Sequence, residues 1–420
     1  MRVLYLLNFR QDSITDSSFP KINLPWVDAL LDRLVQSGSV EIALAVPVNG
    51  HSIQKSHQRG ITIYGMPSPK DKNLITKAYK RFTRAGENCK INSYIPNLID
   101  DFKPDVIQIF GSENCFGLIV KDIKTPVVIH IQGFLFVLKR KWFTGISKWE
   151  QFSFASLKDL LLMRGFYNDS FTFGVKADTS ATIIQNCKYF MGRTNFDRVI
   201  VSLISPESKY YHCEEFIRKE FFEKEWAFPL HDKVECVSIL KGASYKGIDL
   251  LVETYLVLKQ HSDRSFKFKI CGVSPKEEIV KIIKKKYKKV LNWSDIEFLG
   301  KLSAAEIVDQ LCASNIYVHP SYMENSPNSV CEAMALGMPV IATNVGGTSS
   351  ILDDGVEGVL VQEGEPYSMA AAIVNLSDNY ENAIKLGANA KRKAIKRHEP
   401  NGIVRSLMEI YDDIANGNGK

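Results

Sequence analysis

The sequence lacks several features that would place it in a protein class directly. Its eight cysteines are scattered singly, so the 420 residues predict neither a disulfide framework nor a zinc site, and a reducing compartment is favoured. No uninterrupted apolar run reaches the about 18 residues of a membrane-spanning helix. The apolar stretch 1–8 is too short for a signal peptide and is predicted to be a strand. We therefore expect a cytoplasmic protein.

Motifs for common cofactors are missing as well. No Gly-x-Gly-x-x-Gly follows a predicted strand, which argues against a dinucleotide-dependent dehydrogenase. No Asp-x-Asp lies in a loop after a strand, so no metal site is predicted. The chain is 45% hydrophobic and 24% charged, as in ordinary globular proteins, and its net charge is +6. That mild basic excess favours anionic ligands or an anionic membrane surface and does not require nucleic acid.

Predicted strands alternate with predicted helices in both halves of the chain, which indicates two parallel-sheet α/β domains. We place the first domain at 1–228, with a linker at about 210–230 where charged and aromatic residues mix. The second domain is placed at 229–398. The segment 399–420 is predicted to be a C-terminal helix that can pack back on the first domain.

One stretch, residues 321–343, combines a loop, a helix, a turn and a strand, and it follows an apolar strand at 316–318. Ser326 and Pro327 are residues typical of a helix start. Gly337 is typical of a helix end. A polar loop between strand and helix is therefore expected at the carboxyl edge of the second sheet.

Two carboxylates flank the start of this helix. Glu324 lies in the loop and Glu332 lies eight residues later, on the helix. The backbone amides of Asn328, Ser329 and Val330 are expected to be free, and such a helix end attracts phosphate. Carboxylates accept hydrogen bonds from vicinal hydroxyls, so the two glutamates suit a sugar or a ribose. Taken alone, the pair is equally compatible with two solvated surface residues.

A second anion site is predicted earlier in the same domain. Lys241 and Lys246 bracket a loop that contains Gly242 and directly follows a strand. The glycine permits close approach of a ligand to the backbone, and each lysine supplies a point charge for phosphate. Two anion sites and two carboxylates together indicate a nucleotide diphosphate sugar as ligand.

The second half of the chain resembles retaining glycosyltransferases of family 4, which have the GT-B fold. The resemblance is strong over residues 234–362 and weaker in the first half. It implies two Rossmann-like domains that face each other across a cleft. The matching segments are Gly-Ala-Ser-Tyr-Lys-Gly at 242–247, Phe-Leu-Gly at 298–300, His-Pro-Ser-Tyr-Met-Glu at 319–324, Glu-Ala-Met-Ala-Leu-Gly-Met-Pro-Val-Ile-Ala-Thr at 332–343, Gly-Gly at 346–347 and Asp-Gly-Val-Glu-Gly-Val-Leu-Val at 354–361.

The resemblance assigns roles to individual residues. It implies that Glu324 contacts the transferred sugar, that Glu332 binds the ribose and that Lys246 binds the diphosphate. Lys241 stands where the family usually has arginine. It keeps the positive charge but lacks the planar guanidinium group that binds phosphate through two hydrogen bonds. Glu324, Lys246 and Lys241 form the expected catalytic group. The expected donor-binding residues are Gly242, Leu299, Lys301, Asn325, Ser326, Pro327, Asn328, Ser329, Val330 and Glu332.

The first half is expected to bind the acceptor. Its strands at 103–111 and 125–131 end in residues that would lie at the carboxyl edge of the sheet, where open α/β sheets bind ligands. Gln132, Gly133 and Glu113 are the acceptor-side candidates. Gln132 stands where the family often has histidine, and residues 12–25 stand where many members have a glycine-rich loop. His130 is predicted to be a core residue.

Two segments of the first half combine basic and aromatic residues. They lie at 70–90 and at 134–149. Each is compatible with a solvated helix or packed helices, and each is also compatible with peripheral contact to an anionic membrane. The second interpretation places the protein at the inner face of the cell membrane.

The resemblance implies a metal-independent hexosyltransferase that retains anomeric configuration. It would move a sugar from a nucleotide diphosphate sugar to a hydroxyl of a glycan or lipid-linked acceptor, in polysaccharide or glycolipid synthesis. No cofactor is expected, and the donor base is expected to be uridine or guanosine. The alternatives are a sugar-nucleotide epimerase of the same fold and a non-catalytic protein that binds nucleotide sugars.

Overall fold

A computed structural model of the chain describes residues 1–14, 25–68, 89–163, 165–230, 232–289 and 293–417. The basic segment at 70–90 lies almost entirely outside these residues. The strands are β1 (Arg2–Leu6), β2 (Glu41–Val48), β3 (Gln54–Gln58), β4 (Ile61–Pro67), β5 (Val106–Phe110), β6 (Val127–His130), β7 (Tyr189–Gly192), β8 (Lys209–His212), β9 (Val234–Ile239), β10 (Phe266–Cys271), β11 (Ile296–Gly300), β12 (Ile316–His319), β13 (Val340–Thr343) and β14 (Val359–Val361).

The α-helices of the described residues alternate with these strands. They are α1 (Pro25–Ser37), α2 (Ile95–Phe102), α3 (Leu135–Leu138), α4 (Lys148–Phe154), α5 (Leu157–Leu161), α6 (Phe166–Asn186), α7 (Asn195–Ile204), α8 (Glu220–Glu223), α9 (Ile248–His261), α10 (Glu278–Lys286), α11 (Ala304–Cys312), α12 (Asn328–Leu336), α13 (Pro366–Asp378), α14 (Tyr380–Arg397) and α15 (Pro400–Ala415). Short 3₁₀ helices lie at Cys89–Tyr94, Cys115–Lys121, Lys139–Lys141, Ser244–Lys246, Trp293–Asp295 and Thr348–Ser350.

The chain forms two compact units. Unit 1 contains residues 1–139, 171–216 and 399–420. In its described part, an eight-stranded sheet has the order β3-β4-β2-β1-β5-β6-β7-β8, and only β3 is antiparallel to its neighbour. Strands β1, β2, β5 and β6 are largely apolar and buried, because helices cover both faces of such a sheet.

Helix α15 belongs to the core of unit 1. Ile403, Leu407 and Ile410 of this helix pack into one apolar cluster with β1 and α1. The hydroxyl of Tyr411 lies 2.7 Å from the hydroxyl of Tyr5, in a fully buried position. The C-terminal helix therefore completes the first unit.

Unit 2 contains residues 140–170 and 217–398. Its described residues form a six-stranded parallel sheet of order β11-β10-β9-β12-β13-β14. This is a doubly wound order. Strands β10 and β11 are added on one side of β9, and β12, β13 and β14 are added on its other side. Ligands bind such sheets at the carboxyl ends of the strands where the order reverses, here β9 and β12.

The structure divides the chain differently from the predicted boundaries. Residues 140–170, predicted to lie in the first domain, pack on unit 2 because Ile146 is buried in its core and Phe154 and Phe166 pack against it. The predicted linker at 210–230 contains most of strand β8 and helix α8. The longer segment of unit 2 begins at Ile217 rather than near residue 229.

Within the described ranges, no helix is both long enough and apolar enough to cross a membrane.

Candidate functional site

Two loops meet at the carboxyl ends of β9 and β12 in unit 2. The backbone amide of Tyr322 donates to the carbonyl of Tyr245 at 2.8 Å and ties the loops together. Gly247 has φ +72°, and a Cβ there would lie 2.0 Å from the carbonyl oxygen of Pro320. Only glycine combines that conformation with that close approach. The loop that carries Lys246 is therefore fixed against the loop that leads to Glu324.

Glu324 is held by three donors on one carboxylate oxygen. Its Oε1 accepts from Lys246 Nζ at 2.6 Å and from Ser321 Oγ at 2.7 Å. Nε2 of His319 lies 2.9 Å from the same oxygen. A turn at Gly346 packs behind it, since a Cβ on that glycine would lie 1.8 Å from the Glu324 carbonyl oxygen. Side chain and backbone of Glu324 are thus both fixed.

The electrostatics of this contact favour the ion pair. Burial alone would raise the pKa of Glu324, but the Lys246 ammonium and the His319 imidazole outweigh burial and hold that pKa well below its usual range. Burial likewise opposes the charge on Lys246, and Glu324 overcomes it, so the pKa of Lys246 is raised. At neutral pH the carboxylate and the ammonium are both charged.

Glu332 is held by a different cation. Nε and Nη2 of Arg218 both donate to its Oε1, at 2.9 and 2.7 Å. Burial raises the pKa of Glu332, and the arginine only partly offsets this effect. The pKa of Glu324 is therefore lowered and the pKa of Glu332 is raised, although both residues flank the same helix start.

The two glutamates share one pattern. In each, Oε1 accepts every hydrogen bond that the described residues donate, and Oε2 accepts none. Between them in the chain, Asn325 has both side-chain amide atoms buried without a hydrogen-bond partner in the described structure. Buried polar groups are normally paired, so these atoms indicate a place for the hydroxyl groups of a ligand.

The start of α12 differs slightly from the prediction. The helix begins at Asn328, with Pro327 at the N-cap position, and ends at Gly337 with φ +87° as expected. The Val330 amide, expected to be free, donates to the Pro327 carbonyl at 3.1 Å, because the first turn is tightened. Ser326 is buried and Ser329 is half-buried at this helix start.

The other predicted donor residues of unit 2 lie at or just after the ends of strands β9 and β11. Lys241 is exposed two residues after β9 and forms no ion pair with the residues that the structure describes. Gly242 packs tightly, since a Cβ there would lie 2.0 Å from Oε2 of Glu277. Leu299 and Lys301 lie at and just after the end of the edge strand β11, and no described hydrogen bond joins them to the two glutamates. Lys246 and Glu324 are thus in contact, whereas no described contact joins Lys241, Leu299 or Lys301 to either glutamate.

The acceptor-side candidates lie in unit 1, at the ends of the neighbouring strands β5 and β6. Gln132 is half-buried and its Nε2 donates to Oε1 of Glu215 at 2.7 Å. Gly133 is buried beside it. Glu113 is half-buried and folds over Gly111, where a Cβ would lie 1.7 Å from its Oε2.

A buried charge cluster supports Gln132. Nη1 of Arg193 lies 3.0 Å from Oε2 of the fully buried Glu215, and Nε2 of His130 lies 3.4 Å from Oε1. Burial lowers the pKa of His130 to about 4, so its imidazole is neutral at pH 7. His130 is therefore a neutral core residue beside Glu215, as predicted.

The sequence interpretation missed three residues of the site in unit 2. His319 and Ser321 lie inside the quoted motif but received no role. Arg218 fell in the predicted linker, where nothing in the local pattern distinguished it from other surface charges. Its partner, Glu332, is 114 residues away in the sequence.

Comparison with known protein families gives one match to a family model. Residues 220–393 match the model described as glycosyl transferases group 1. The matched segment lies within the sequence range of unit 2 and contains both glutamates and Lys246. Residues 220–393 of unit 2 are thus similar to the glycosyl transferases group 1 family.

Curated relatives match over part of their length. An uncharacterized glycosyltransferase of Methanocaldococcus jannaschii is 30% identical over 176 residues, 40% of this chain and 45% of that protein. The amylovoran biosynthesis glycosyltransferase AmsK of Erwinia amylovora is 25% identical over 226 residues, 51% and 54% of the two chains. A D-inositol 3-phosphate glycosyltransferase of Corynebacterium glutamicum is 28% identical over 223 residues, 52% and 53%. The chain spans about half the length of the curated relatives it matches.

Solved structures match over nearly the whole chain. A sucrose-phosphate synthase from Thermosynechococcus elongatus superposes with a TM-score of 0.68 at 13% identity, covering 99% of both chains. Anabaena Alr3699/HepE in complex with UDP-glucose gives a TM-score of 0.67 at 12% identity, covering 98% of this chain and 100% of that one. Likeness at this identity concerns the fold, and the predicted GT-B fold with two parallel-sheet α/β domains is confirmed.

Proposed function

We propose that this chain, whose second unit matches the glycosyl transferases group 1 family model, is a retaining glycosyltransferase. It moves a hexose from a nucleotide diphosphate sugar to a hydroxyl group of a glycan or lipid-linked acceptor. The reaction belongs to the assembly of a polysaccharide or glycolipid, at the cytoplasmic side of the cell membrane.

One observation carries this proposal: each of two buried glutamates is fixed through Oε1 and keeps Oε2 without a hydrogen bond from the described residues. A carboxylate that is fixed through one oxygen can accept hydrogen bonds from sugar hydroxyls with the other oxygen. Glu324 would bind the transferred sugar and Glu332 the ribose. The buried amide of Asn325 would complete the contacts to the sugar.

Lys246 and Lys241 supply positive charge for the leaving diphosphate. In the transfer step the bond between the anomeric carbon and the phosphate oxygen breaks, and the acceptor oxygen bonds to the same face of that carbon. The acceptor proton passes to the departing phosphate oxygen. Fixed positive charge at that oxygen stabilises the developing anion, so we propose that the reaction requires no metal ion.

The donor base is proposed to be uridine or guanosine. The complex of Anabaena Alr3699/HepE with UDP-glucose supports testing uridine donors first. The names of the curated relatives, which include amylovoran biosynthesis, support a role in glycan assembly. In unit 1, Gln132, Gly133 and Glu113 are the proposed acceptor-side residues.

The experiment has two stages. A thermal-shift screen against uridine, guanosine and adenosine diphosphates and their sugars identifies the donor, because a ligand stabilises the folded state by mass action. Release of free diphosphate is then followed with and without candidate glycan and lipid-linked acceptors. Acceptor-dependent release, with a product whose anomeric configuration matches that of the donor, is the expected result.

Two other outcomes would replace the proposal. Conversion of the donor to an epimer without an acceptor identifies an epimerase. Binding of a nucleotide sugar, with no release of free diphosphate in the presence of any acceptor, identifies a non-catalytic binding protein.

A further inference from the structure

Unit 2 displays four large apolar side chains to solvent on two adjacent short helices. Trp149 and Phe152 of α4 are 72% and 40% exposed, and Leu157 and Leu161 of α5 are 80% and 81% exposed. These four residues are called the apolar patch below. Such exposure of neighbouring large apolar side chains marks an interaction surface rather than random surface composition.

The spacing of the patch keeps its members on the outer faces of their helices. Trp149 and Phe152 are three residues apart, with ring centroids 5.9 Å apart, and Leu157 and Leu161 are four residues apart. The opposite side of α4 is occupied, because Gln151 is buried and its amide donates to the Ile146 carbonyl at 3.1 Å. The patch therefore lies on helices whose inner faces are already packed.

A row of lysines lies beside the patch. Helix α10 carries Lys281, Lys284 and Lys285, all exposed, and Lys288 follows it. These four residues are called the lysine row below. None of them forms an ion pair with the described part of the chain.

Direct contacts join α10 to the segment that carries the patch. Nζ of Lys285 lies 5.6 Å from the centre of the Phe154 ring, at the end of α4. Lys286 donates to the Gly145 carbonyl at 2.7 Å and lies 3.6 Å from a carboxylate oxygen of Glu150. Apolar patch and lysine row are thus parts of one surface.

The acidic groups of this surface are engaged in local structure. Glu150 accepts from the backbone amide and the hydroxyl of Ser147 at the start of α4. The hydroxyl of Ser156 donates to Asp159 at the start of α5. Glu278 accepts from the Phe166 amide at 3.2 Å. These carboxylates keep their negative charge, but none of them forms a described ion pair with the lysine row.

We propose that the apolar patch and the lysine row form a surface that binds an anionic lipid bilayer. Tryptophan, phenylalanine and leucine insert at the level of the headgroups, and flanking lysines attract anionic lipid. Leu157 and Leu161 project by about four-fifths of their area, which suits insertion among lipids better than contact with a flat protein interface. The surface is in unit 2, whereas the sequence suggested such contact for the first domain.

This inference does not rest on glycosyl transfer, and its test measures binding without any substrate. The full chain is mixed with sucrose-loaded vesicles of phosphatidylcholine, or of phosphatidylcholine with phosphatidylglycerol, and the vesicles are sedimented. The protein should sediment with the anionic vesicles only. Salt should release most of it, since the Debye length falls to about 3 Å at 1 M ionic strength.

Two pairs of substitutions test the two parts of the surface. Leu157→Ser with Leu161→Ser should lower the partition coefficient onto anionic vesicles by roughly tenfold or more, because both side chains are exposed and would be inserted. Lys281→Ala with Lys288→Ala should lower it by about fivefold per lysine. All four side chains are exposed, so the variants should unfold at the wild-type temperature.

Matched controls use equally exposed residues elsewhere. Leu203→Ser removes a leucine that is 78% exposed on α7 of unit 1. Lys385→Ala with Lys396→Ala removes two exposed lysines of α14. Both controls should bind vesicles like the wild type.

Brominated lipids supply an independent readout, because bromine quenches tryptophan fluorescence at short range. Anionic vesicles with brominated chains should quench the tryptophan fluorescence of the wild type. They should quench the fluorescence of Trp149→Phe to a smaller extent. Three results would overturn the proposal: sedimentation with neither type of vesicle, sedimentation that the patch and lysine variants leave unchanged, or a wild-type oligomer that Leu157→Ser with Leu161→Ser dissociates in the absence of lipid. The last result would assign the surface to a second copy of the chain.

Discussion

Arg218 donates two hydrogen bonds to one oxygen of Glu332, at 2.9 and 2.7 Å, and lies 4.7 Å from the centre of the Phe221 ring. The planar guanidinium is therefore fixed on one side by a carboxylate and on the other by an aromatic face. This contact orients Glu332 and leaves its second oxygen for a ligand. It also partly offsets the effect of burial, which raises the pKa of the Glu332 carboxyl.

The first prediction concerns Arg218. Arg218→Gln should weaken binding of the nucleoside diphosphate by about tenfold to a hundredfold, since one hydrogen bond to a charged group contributes about 1.5–3 kcal/mol. Protonated Glu332 accepts ribose hydroxyls poorly, so affinity falls as pH falls through its pKa. Loss of the arginine should move this fall to higher pH. Calorimetric titration of the diphosphate across pH measures both effects.

Arg264→Gln is the matched control, because Arg264 is an exposed arginine of unit 2 paired with Asp378 at 2.7 Å. It should bind the diphosphate like the wild type at every pH. Wild-type affinity and an unchanged pH profile in Arg218→Gln would show that Arg218 has no part in the ribose site.

The second prediction separates the two glutamates. Glu332→Gln should weaken binding of both the diphosphate and the nucleotide sugar, because the ribose contact is shared by every step. Glu324→Gln should leave diphosphate affinity nearly unchanged and lower kcat, because its sugar contact strengthens in the transition state. Calorimetry of the free diphosphate and steady-state kinetics measure the two effects. An equal loss of diphosphate affinity in both variants would refute the assignment of roles.

Part of the fold and of the candidate site could be predicted from local sequence patterns. The helix at Asn328–Leu336 and its glycine end follow from residues close in sequence, and so does the run of strands in unit 2. The pairing of Glu324 with Lys246 lay within reach because both residues belong to short motifs at the ends of adjacent strands. Such features are encoded within a few residues of where they appear.

Long-range packing is not encoded in that way. Arg218 meets Glu332 across 114 residues, and the local pattern around it indicated only a linker. Residues 140–170 were placed with the first domain by chain order, yet Ile146, Phe154 and Phe166 pack against unit 2. Which core an apolar side chain joins is decided by tertiary contacts that periodicity does not report.

The third prediction concerns the pH dependence of stability. The pKa of Glu324 in the folded chain is lowered from the ordinary value of 4.5, since Lys246 and His319 outweigh burial. The resulting stabilisation is fully present above that ordinary value and is lost as pH falls below it toward the folded-state pKa. The difference in urea midpoint between wild type and Glu324→Gln should therefore be largest near neutral pH and shrink below pH 4.5.

The control for this measurement is Glu381→Gln, which changes an exposed glutamate at the start of α14. Its urea midpoint should follow the wild type over the whole range. A difference between wild type and Glu324→Gln that stays constant or grows toward acid would contradict the lowered pKa.

The fourth prediction concerns metal ions. Lys246 and Lys241 are proposed to stabilise the leaving diphosphate, so turnover should survive prolonged dialysis against EDTA. Lys241→Ala should lower kcat in the presence and absence of magnesium alike, because a metal does not replace it. Loss of activity in EDTA with recovery in magnesium or manganese would refute this prediction.

The last prediction uses two glycines with the same backbone conformation and different surroundings. Gly247 has φ +72° and a Cβ would lie 2.0 Å from the Pro320 carbonyl oxygen, whereas Gly355 has φ +70° and nothing within 4 Å of that position. An alanine at either site adopts a left-handed conformation at a cost of about 1–2 kcal/mol. Only Gly247→Ala also forces apart the loops that carry Lys246 and Glu324.

Gly355→Ala should therefore lower thermal stability modestly and leave diphosphate affinity unchanged. Gly247→Ala should lower stability further and should also weaken diphosphate binding, because Lys246 moves away from the strand ends. Melting temperature and calorimetric affinity, measured on both variants, separate conformational strain from displacement of the loop. Equal effects of the two substitutions on both quantities would show that the contact between Gly247 and Pro320 does not position the site.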